Sequence, residues 1–245
     1  MKISNIQDLV PSSTKSNSSV TSRQDALEKF NSFNPALYAK TRNFLNGQIS
    51  RLSAHIKHGI ISNKEIYEHV RDKYAFNESE KFIQELAWRD FWRSYAYHHP
   101  DQLWTDVEEY KTGFQAQEYQ DDLPEDIISA ETPTQVINVF IDQLLTTGYL
   151  HNHSRMYLAS YIVHFRRVKW QAGAKFFLSH LLDGDIASNN FSWQWIASTF
   201  AGKPYIFNLE NVHKYCHRSI EIIPEKNQEI DGSYEEISSR LFPNL

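Results

Sequence analysis

The sequence predicts an all-α fold, a compact multi-helix bundle. Apolar residues recur at helical spacing along almost the whole chain. No strand-rich region and no internal repeat interrupts that periodicity. The breaks between periodic stretches fall on helix punctuation, such as Asn34-Pro35, Gly148 and Gly184.

Length and composition bound the answer further. A chain of 245 residues with 41% hydrophobic content can bury one large core or two small ones. Cys216 is the single cysteine, which excludes an intrachain disulfide and a cysteine-based metal site. No apolar run reaches the length of a membrane span, and no signal peptide is visible, so a cytoplasmic protein without a membrane partner is expected. The net charge of −5 argues weakly against nucleic acid. It is unevenly spread, however. Asp101 to Glu131 carries ten acids and one base, Lys111, leaving 24 basic against 20 acidic residues elsewhere. That segment reads as a solvated acidic loop beside a more basic remainder.

Residues 1–21, rich in Ser, Thr and Asn, read as a disordered or loosely attached arm. A helix is expected from Ser22 to Phe33, closed by Asn34-Pro35. After Tyr38 come Ile49, Ser50, Arg51, Leu52 and Ser53, with Ser53 placed to cap a helix over Ala54–His58. A capped helix start is either ordinary structure or a seat for phosphate.

Ser62–Tyr74 predicts a further amphipathic helix, and Glu78–His98 a long one with Phe82, Leu86 and Ala87 turned inward. Glu85, Trp88, Arg89 and Trp92 fall at i, i+3, i+4 and i+7, on one face of it. That stripe is either a surface ion pair under a tryptophan or the wall of a ligand site.

Pro133–Leu145 predicts a helix with Val136, Val139, Phe140 and Leu144 inside and Gly148 as its left-handed stop. Tyr149-Leu-His-Asn-His-Ser-Arg-Met156 opens the next, running to about Val168, with Asn152, Arg155 and Met156 sharing a face. His151 and His153 lack acidic partners at metal-like spacing, so no metal site is expected. Trp170 begins another helix, and the tail 224–245 reads as polar and peripheral.

The densest chemistry lies between His180 and Ser198. Asp183 and Asp185 flank Gly184 in a turn, and Asn189, Asn190, Trp193 and Trp195 follow on a helix expected over Phe191–Phe200. Two acids in a turn between helices cost desolvation unless cations or ligand donors meet them. Asn189 and Trp193, four apart, point the same way, whereas Trp193 and Trp195 cannot share surroundings. A flat ligand with hydrogen-bonding edges would use all these groups.

Asp183-Gly184-Asp185, Asn189 and Trp193-Gln194-Trp195 resemble, position for position, the D-G-D-x-x-x-N-x-x-x-W-Q-W signature of the photolyase/cryptochrome family. Ser50-Arg51-Leu52-Ser53 is similar to that family's T-S-R-L-S phosphate loop, with Ile49 in place of the first Thr. Glu85-Leu-Ala-Trp88-Arg89 resembles its E-L-x-W-R, and Asn152, Arg155 and Met156 its H-N-R-x-R-M, with His153 replacing the first Arg.

The resemblance covers residues 35 to 215. It implies a helical FAD-binding domain over 22–223, without the usual N-terminal α/β domain and so without an antenna chromophore. It further implies that Tyr38, Ile49, Ser50, Arg51, Leu52, Ser53, Phe82, Glu85, Arg89, Asn152, Arg155, Asp183, Gly184, Asp185 and Asn189 surround FAD. Glu85, Trp88, Asn152, Met156 and Trp195 would meet a pyrimidine dimer. Trp193, Trp170 and Tyr119 would relay electrons, ending in a deprotonated tyrosyl radical. The implied activity is light-driven repair of cyclobutane pyrimidine dimers in UV-damaged DNA, with single strands favoured. The alternatives are a blue-light flavin photoreceptor without repair, or a helical scaffold with no cofactor. The oligomeric state stays open.

Overall fold

The computed structural model describes residues 22–245; the arm read over residues 1–21 lies outside the described residues. The all-α expectation holds. The helices are α1 (Arg23–Asn31), α2 (Pro35–Thr41), α3 (Ser53–Lys57), α4 (Asn63–Lys73), α5 (Phe76–His98), α6 (Glu125–Ile128), α7 (Gln135–Thr147), α8 (Asn152–Ser160), α9 (Trp170–His180), α10 (Ile186–Ala197), α11 (Leu209–Cys216) and α12 (Tyr234–Leu241). Among the described residues the one β-type pairing outside helices is a parallel bridge between Gln120 and Val168.

The helix starts follow from local chemistry. Ser22 accepts from the Asp25 amide at the head of α1, and Asn34 accepts from Ala36 and Leu37 so that Pro35 opens α2. Ser62 and Glu65 form a capping box on α4. Gly148 ends α7 at φ 65°, and Leu182 N–H donates to its carbonyl at 2.9 Å. A Cβ at Gly148 would lie 2.8 Å from Leu182 Cγ, so the missing side chain lets the Asp183 turn seat on the end of α7.

Two cores result. The smaller holds Phe30, Phe33, Leu52, Ile66, Val70 and Phe82, from α1, α4, α5 and the segments before α2 and α3. The larger is built on α7 to α11 around Phe140, Tyr157, Trp170, Phe177 and Trp193. Trp92 of α5 stacks on Phe191 of α10 at 5.4 Å between ring centroids, joining the halves.

Several boundaries depart from the sequence reading. Ser53 is the first residue of α3, not its cap; Leu52 holds the cap position, its aliphatic side chain having no acceptor to offer and being fully buried in the smaller core. The helix after Asp185 begins at Ile186, five residues early, because Asp185 itself caps it by accepting from Ser188 N–H at 3.1 Å. The helix read as running to Val168 ends at Ser160 and passes into a π-turn over Tyr161–Phe165. Ala87 is exposed, since α5 buries only a narrow edge around Ser79 and Phe82.

Two readings of surface segments also change. The acidic stretch is not simply a solvated loop: Tyr110, Thr112, Tyr119 and Ile127 are all buried. The segment from Pro224 is not peripheral either. Ile230, Ile237, Leu241 and Phe242 are buried, and the Glu229 carboxylate accepts from Thr134 and Tyr161.

Candidate functional site

The turn between α9 and α10 gathers the charges. Asp183 is buried, and Arg155 of α8 donates to it at 2.8 Å while its Nε is held by the Leu150 carbonyl at 3.0 Å. Burial pushes the Asp183 carboxyl up, but Arg155 first, and Ser53 and Arg89 after it, hold it below the usual range. Asp185 is likewise buried. Its Oδ2 receives Arg93 Nε at 3.1 Å and Nη2 at 2.9 Å, with Arg89 Nη2 at 3.7 Å and Lys57 Nζ at 4.0 Å. Burial opposes ionisation there too, and is outweighed by the Ser188 amide and the two arginines.

Three cations facing one carboxylate leave uncompensated positive charge. Arg89 carries it most sharply. Its burial lowers the guanidinium from its ordinary value, and its Nε and Nη2 are buried without a hydrogen-bond partner. Asp183 Oδ1, Ser188 Oγ and His151 Nε2 are buried and unpartnered in the same neighbourhood. Buried polar atoms are seldom left unpaired in a finished structure. Here donors suited to phosphate and an acceptor suited to a ring N–H converge on one turn, which fits a dinucleotide with a hydrogen-bonding head.

The preceding loop flanks this cluster. Ile49 and Ser50 are half-buried, and Arg51 adopts φ 53°, a left-handed conformation costly for a side-chain residue. Arg51 and Arg155 both lie over the Tyr149 ring, at 5.5 and 6.0 Å from its centroid. Tyr38 packs edge-on against Phe82 at 5.4 Å, and burial raises its phenol to about 12. Phe82 is itself covered by Phe33 and Tyr38, so it backs this wall from within the smaller core.

Gly184 leaves the turn narrow, with Leu181 O 3.2 Å from where a Cβ would stand. Asn189 donates through Nδ2 to Ala174 O at 3.1 Å and to Asn190 Oδ1 at 2.9 Å. Trp193 faces the same helix: a Cβ on Gly173 would lie 2.2 Å from its Cη2. The shared direction of Asn189 and Trp193 is thus real, and both look onto α9. Trp195 is half-exposed and tilts over Tyr205 at 5.7 Å.

Other sequence-predicted residues sit as follows. Glu85 pairs with Arg42 at 3.2 Å and Lys81 at 2.8 Å. Trp88 is half-exposed and stacks on Trp92 at 5.5 Å. Asn152 is exposed and donates to Met156 sulfur at 3.6 Å. His153, where the motif places an arginine, is buried and bonded to the Asn43 carbonyl at 2.7 Å, and burial lowers its pKa from the ordinary value. Trp170, Trp193 and Tyr119 all lie in the larger core. Sequence reasoning missed Arg93 and Lys57; Arg93 follows Arg89 by four residues, which was signal enough. It also missed Asp106, which accepts from the Trp170 indole at 2.6 Å.

Comparison with known proteins decides the family. The family described as the FAD binding domain of DNA photolyase matches residues 82–221. This chain belongs to that family. Among curated relatives, a deoxyribodipyrimidine photo-lyase of Streptomyces griseus is 35% identical over 150 residues, 61% of this chain and 32% of the relative. One from Neurospora crassa is 33% identical over 195 residues, 76% of this chain and 31% of the relative. The chain therefore spans about a third of these photolyase relatives' length. A class III photolyase from Agrobacterium tumefaciens shares the fold, with TM-score 0.71 at 24% identity over 97% of this chain and 49% of that one. An archaeal photolyase from Sulfolobus tokodaii, solved with two FAD molecules, superposes with TM-score 0.68 at 26% identity, over 91% and 49%. Among the described residues no group of His, Cys, Asp or Glu is gathered for a metal, and no helix is long and apolar enough to cross a membrane.

Proposed function

We propose that the chain holds FAD and acts in light-driven repair of cyclobutane pyrimidine dimers in UV-damaged DNA, with single strands favoured because they cost no unpairing. The single observation that carries this reading is the unsatisfied hydrogen-bonding capacity at one turn: Arg89 has two buried nitrogens without a hydrogen bond, one of them 3.7 Å from Asp185, and an oxygen of nearby Asp183 is buried in the same condition. Arg89, Arg93, Lys57 and the Ser50–Ser53 loop form the anionic ligand's seat. The Arg155–Asp183 pair presents donors and an acceptor to the ring edge, and Asn189 stands beside its centre. Reduced FAD, once bound and excited, supplies an electron that a dimer can accept and give back after its ring opens.

Glu85, Trp88, Asn152, Met156 and Trp195 form the substrate wall in this reading. Trp88 and Trp195 offer half-exposed faces on which a base stacks. Trp193 and Trp170 are the route by which the cofactor is reduced, and Tyr119 lies in the same core. A second reading, a blue-light sensor without repair, draws on His153, whose burial removes a cation from the DNA-facing motif.

Reconstitution with FAD followed by blue illumination of a dimer-containing oligonucleotide, single- and double-stranded, tests the proposal. The expected result is a flavin spectrum and restored thymines under reducing conditions. A colourless protein after reconstitution refutes FAD binding. A yellow protein that restores no thymine refutes repair and leaves the sensor reading.

A further inference from the structure

Trp170 is fully buried, and its indole N–H points at a carboxylate. Nε1 donates to Asp106 Oδ1 at 2.6 Å, and Gln171 Nε2 donates to the same oxygen at 3.1 Å. Trp104 lies flat beside Trp170, 6.3 Å away at 4° between planes, and the Gln171 amide also reaches its carbonyl at 3.4 Å. Asp106 thus sits in a small built frame, and the motifs of the sequence give it no part.

Trp170 is also well placed for charge transfer. It stands one helical turn before Gly173, against which the Trp193 ring rests. On its other side, Gln120 N–H donates to Arg167 O and Lys169 N–H to Gln120 O, both at 2.9 Å, so Tyr119 and Trp170 flank one short bridge.

Tyr119 has no comparable base. Its hydroxyl shares a proton with the Thr112 hydroxyl at 2.7 Å, and burial raises its phenol above the ordinary value. It stacks on Tyr110 at 4.3 Å, whose own hydroxyl is buried without a partner. A threonine hydroxyl does not take up a proton near neutral pH, whereas a carboxylate can.

We propose that Asp106 is the proton acceptor of the electron relay, so that the oxidised site comes to rest on Trp170 rather than on Tyr119. The inference rests on the FAD reading above. In the step, one electron leaves the Trp170 indole, by way of Trp193, for oxidised flavin excited by light. Losing it makes the indole N–H strongly acidic, and the proton moves along the 2.6 Å bond to Asp106 Oδ1. A neutral indolyl radical and a protonated Asp106 remain, and the flavin holds the electron. Asp106 also lines an open cleft of 380 Å³ with Glu108, Glu109 and Tyr110, through which the proton passes to solvent.

The experiment is transient absorption after a blue flash on the full chain loaded with oxidised FAD. Wild type should develop the neutral indolyl band, more slowly in D2O. Asp106→Asn should lose that band and keep the red-shifted radical-cation absorption, and Asp106→Glu should restore it. Tyr119→Phe should leave it unchanged. In the flavin-free protein, ultraviolet resonance Raman should show the Trp170 N–H marker shifting in Asp106→Asn, with Trp170→Phe identifying the band.

A neutral indolyl band that survives Asp106→Asn, a tyrosyl signal that vanishes in Tyr119→Phe, or an unmoved Raman marker would each overturn the assignment. If wild-type flavin is not reduced by light although it is bound, the relay reading itself falls and takes this one with it.

Discussion

Arg155 and Asp183 meet at 2.8 Å, 28 residues apart in sequence, with the carboxylate buried and the guanidinium at the edge of the cluster. The pair joins the start of α8 to the turn before α10, and the unpartnered second oxygen of Asp183 is what makes it more than a structural clasp.

Asp183→Asn should uncouple that clasp. Removing one member of a largely buried pair costs about 3 kcal/mol, the low end of the range because Arg155 is partly solvated. Urea denaturation should read this loss, and FAD titration of the folded variant should show weakened binding. An unchanged midpoint would mean that the pair contributes nothing.

Arg89→Ala should weaken FAD binding by tenfold or more, since a charge-assisted hydrogen bond contributes about 1.5–3 kcal/mol. Arg93→Ala should act in the same direction, because Asp185 would then draw more heavily on Arg89. Flavin fluorescence titration measures both. Equal affinity in all three proteins would remove the phosphate seat from α5.

Gly173→Ala should destabilise the fold and displace Trp193. The new methyl carbon would stand 2.2 Å from Cη2 of a ring fixed between helices, and overpacking of this kind costs about 1–3 kcal/mol, more than the ~1 kcal/mol of helix propensity that alanine returns. Thermal melts and the position of the tryptophan emission report it.

Stability should fall as pH drops from about 6.5 toward 4, the window set by two buried histidines. Burial, and for His151 also the neighbouring His153 and Arg155, takes both His151 and His164 down to about 4. The unfolded chain, with its ordinary histidines, binds more protons across that window, so acid favours it. Each site accounts for about 2–3 kcal/mol at the lower limit. Melting temperature against pH should be flat above neutrality and decline below it, and His164→Gln should shallow the decline.

Glu85→Ala and Trp88→Ala should abolish dimer repair while the protein stays folded and yellow. Glu85 is a partly solvated partner of Arg42 and Lys81, so its loss should change stability by no more than about 1 kcal/mol. Loss of flavin together with repair would show that these two residues serve the cofactor instead.

Much of this site was legible because charge demands partners. Two acids in one short turn required cations or ligand donors, and the family resemblance set Arg155 and Arg89 around the same ligand. The boundaries were harder, since a side chain with two uses decides them. Asp185 is both a charge and a cap, and so α10 starts at Ile186 rather than at Phe191. Leu52 is fully buried, which leaves Ser53 to start α3 instead of capping it. The acidic stretch hid its role because Tyr110, Thr112 and Tyr119 alternate with charged neighbours, and only tertiary packing separates the buried from the wet. Asp106 was invisible for the same reason: its partner is 64 residues away.

The two cores give the ligand a mechanical part. Arg89 and Ser53 stand on the half built around Phe82, whereas Arg155, Asp183 and Asn189 stand on the half built around Trp193. A dinucleotide gripped at one end by each half is a rivet between them. Emptied of flavin, the halves still meet across this seam through Trp92 and Tyr95 on Phe191, Phe44 on Tyr215, His153 on the Asn43 carbonyl and the ion pairs at Asp185, so they should melt as one unit. Loaded, that single transition should move to higher temperature.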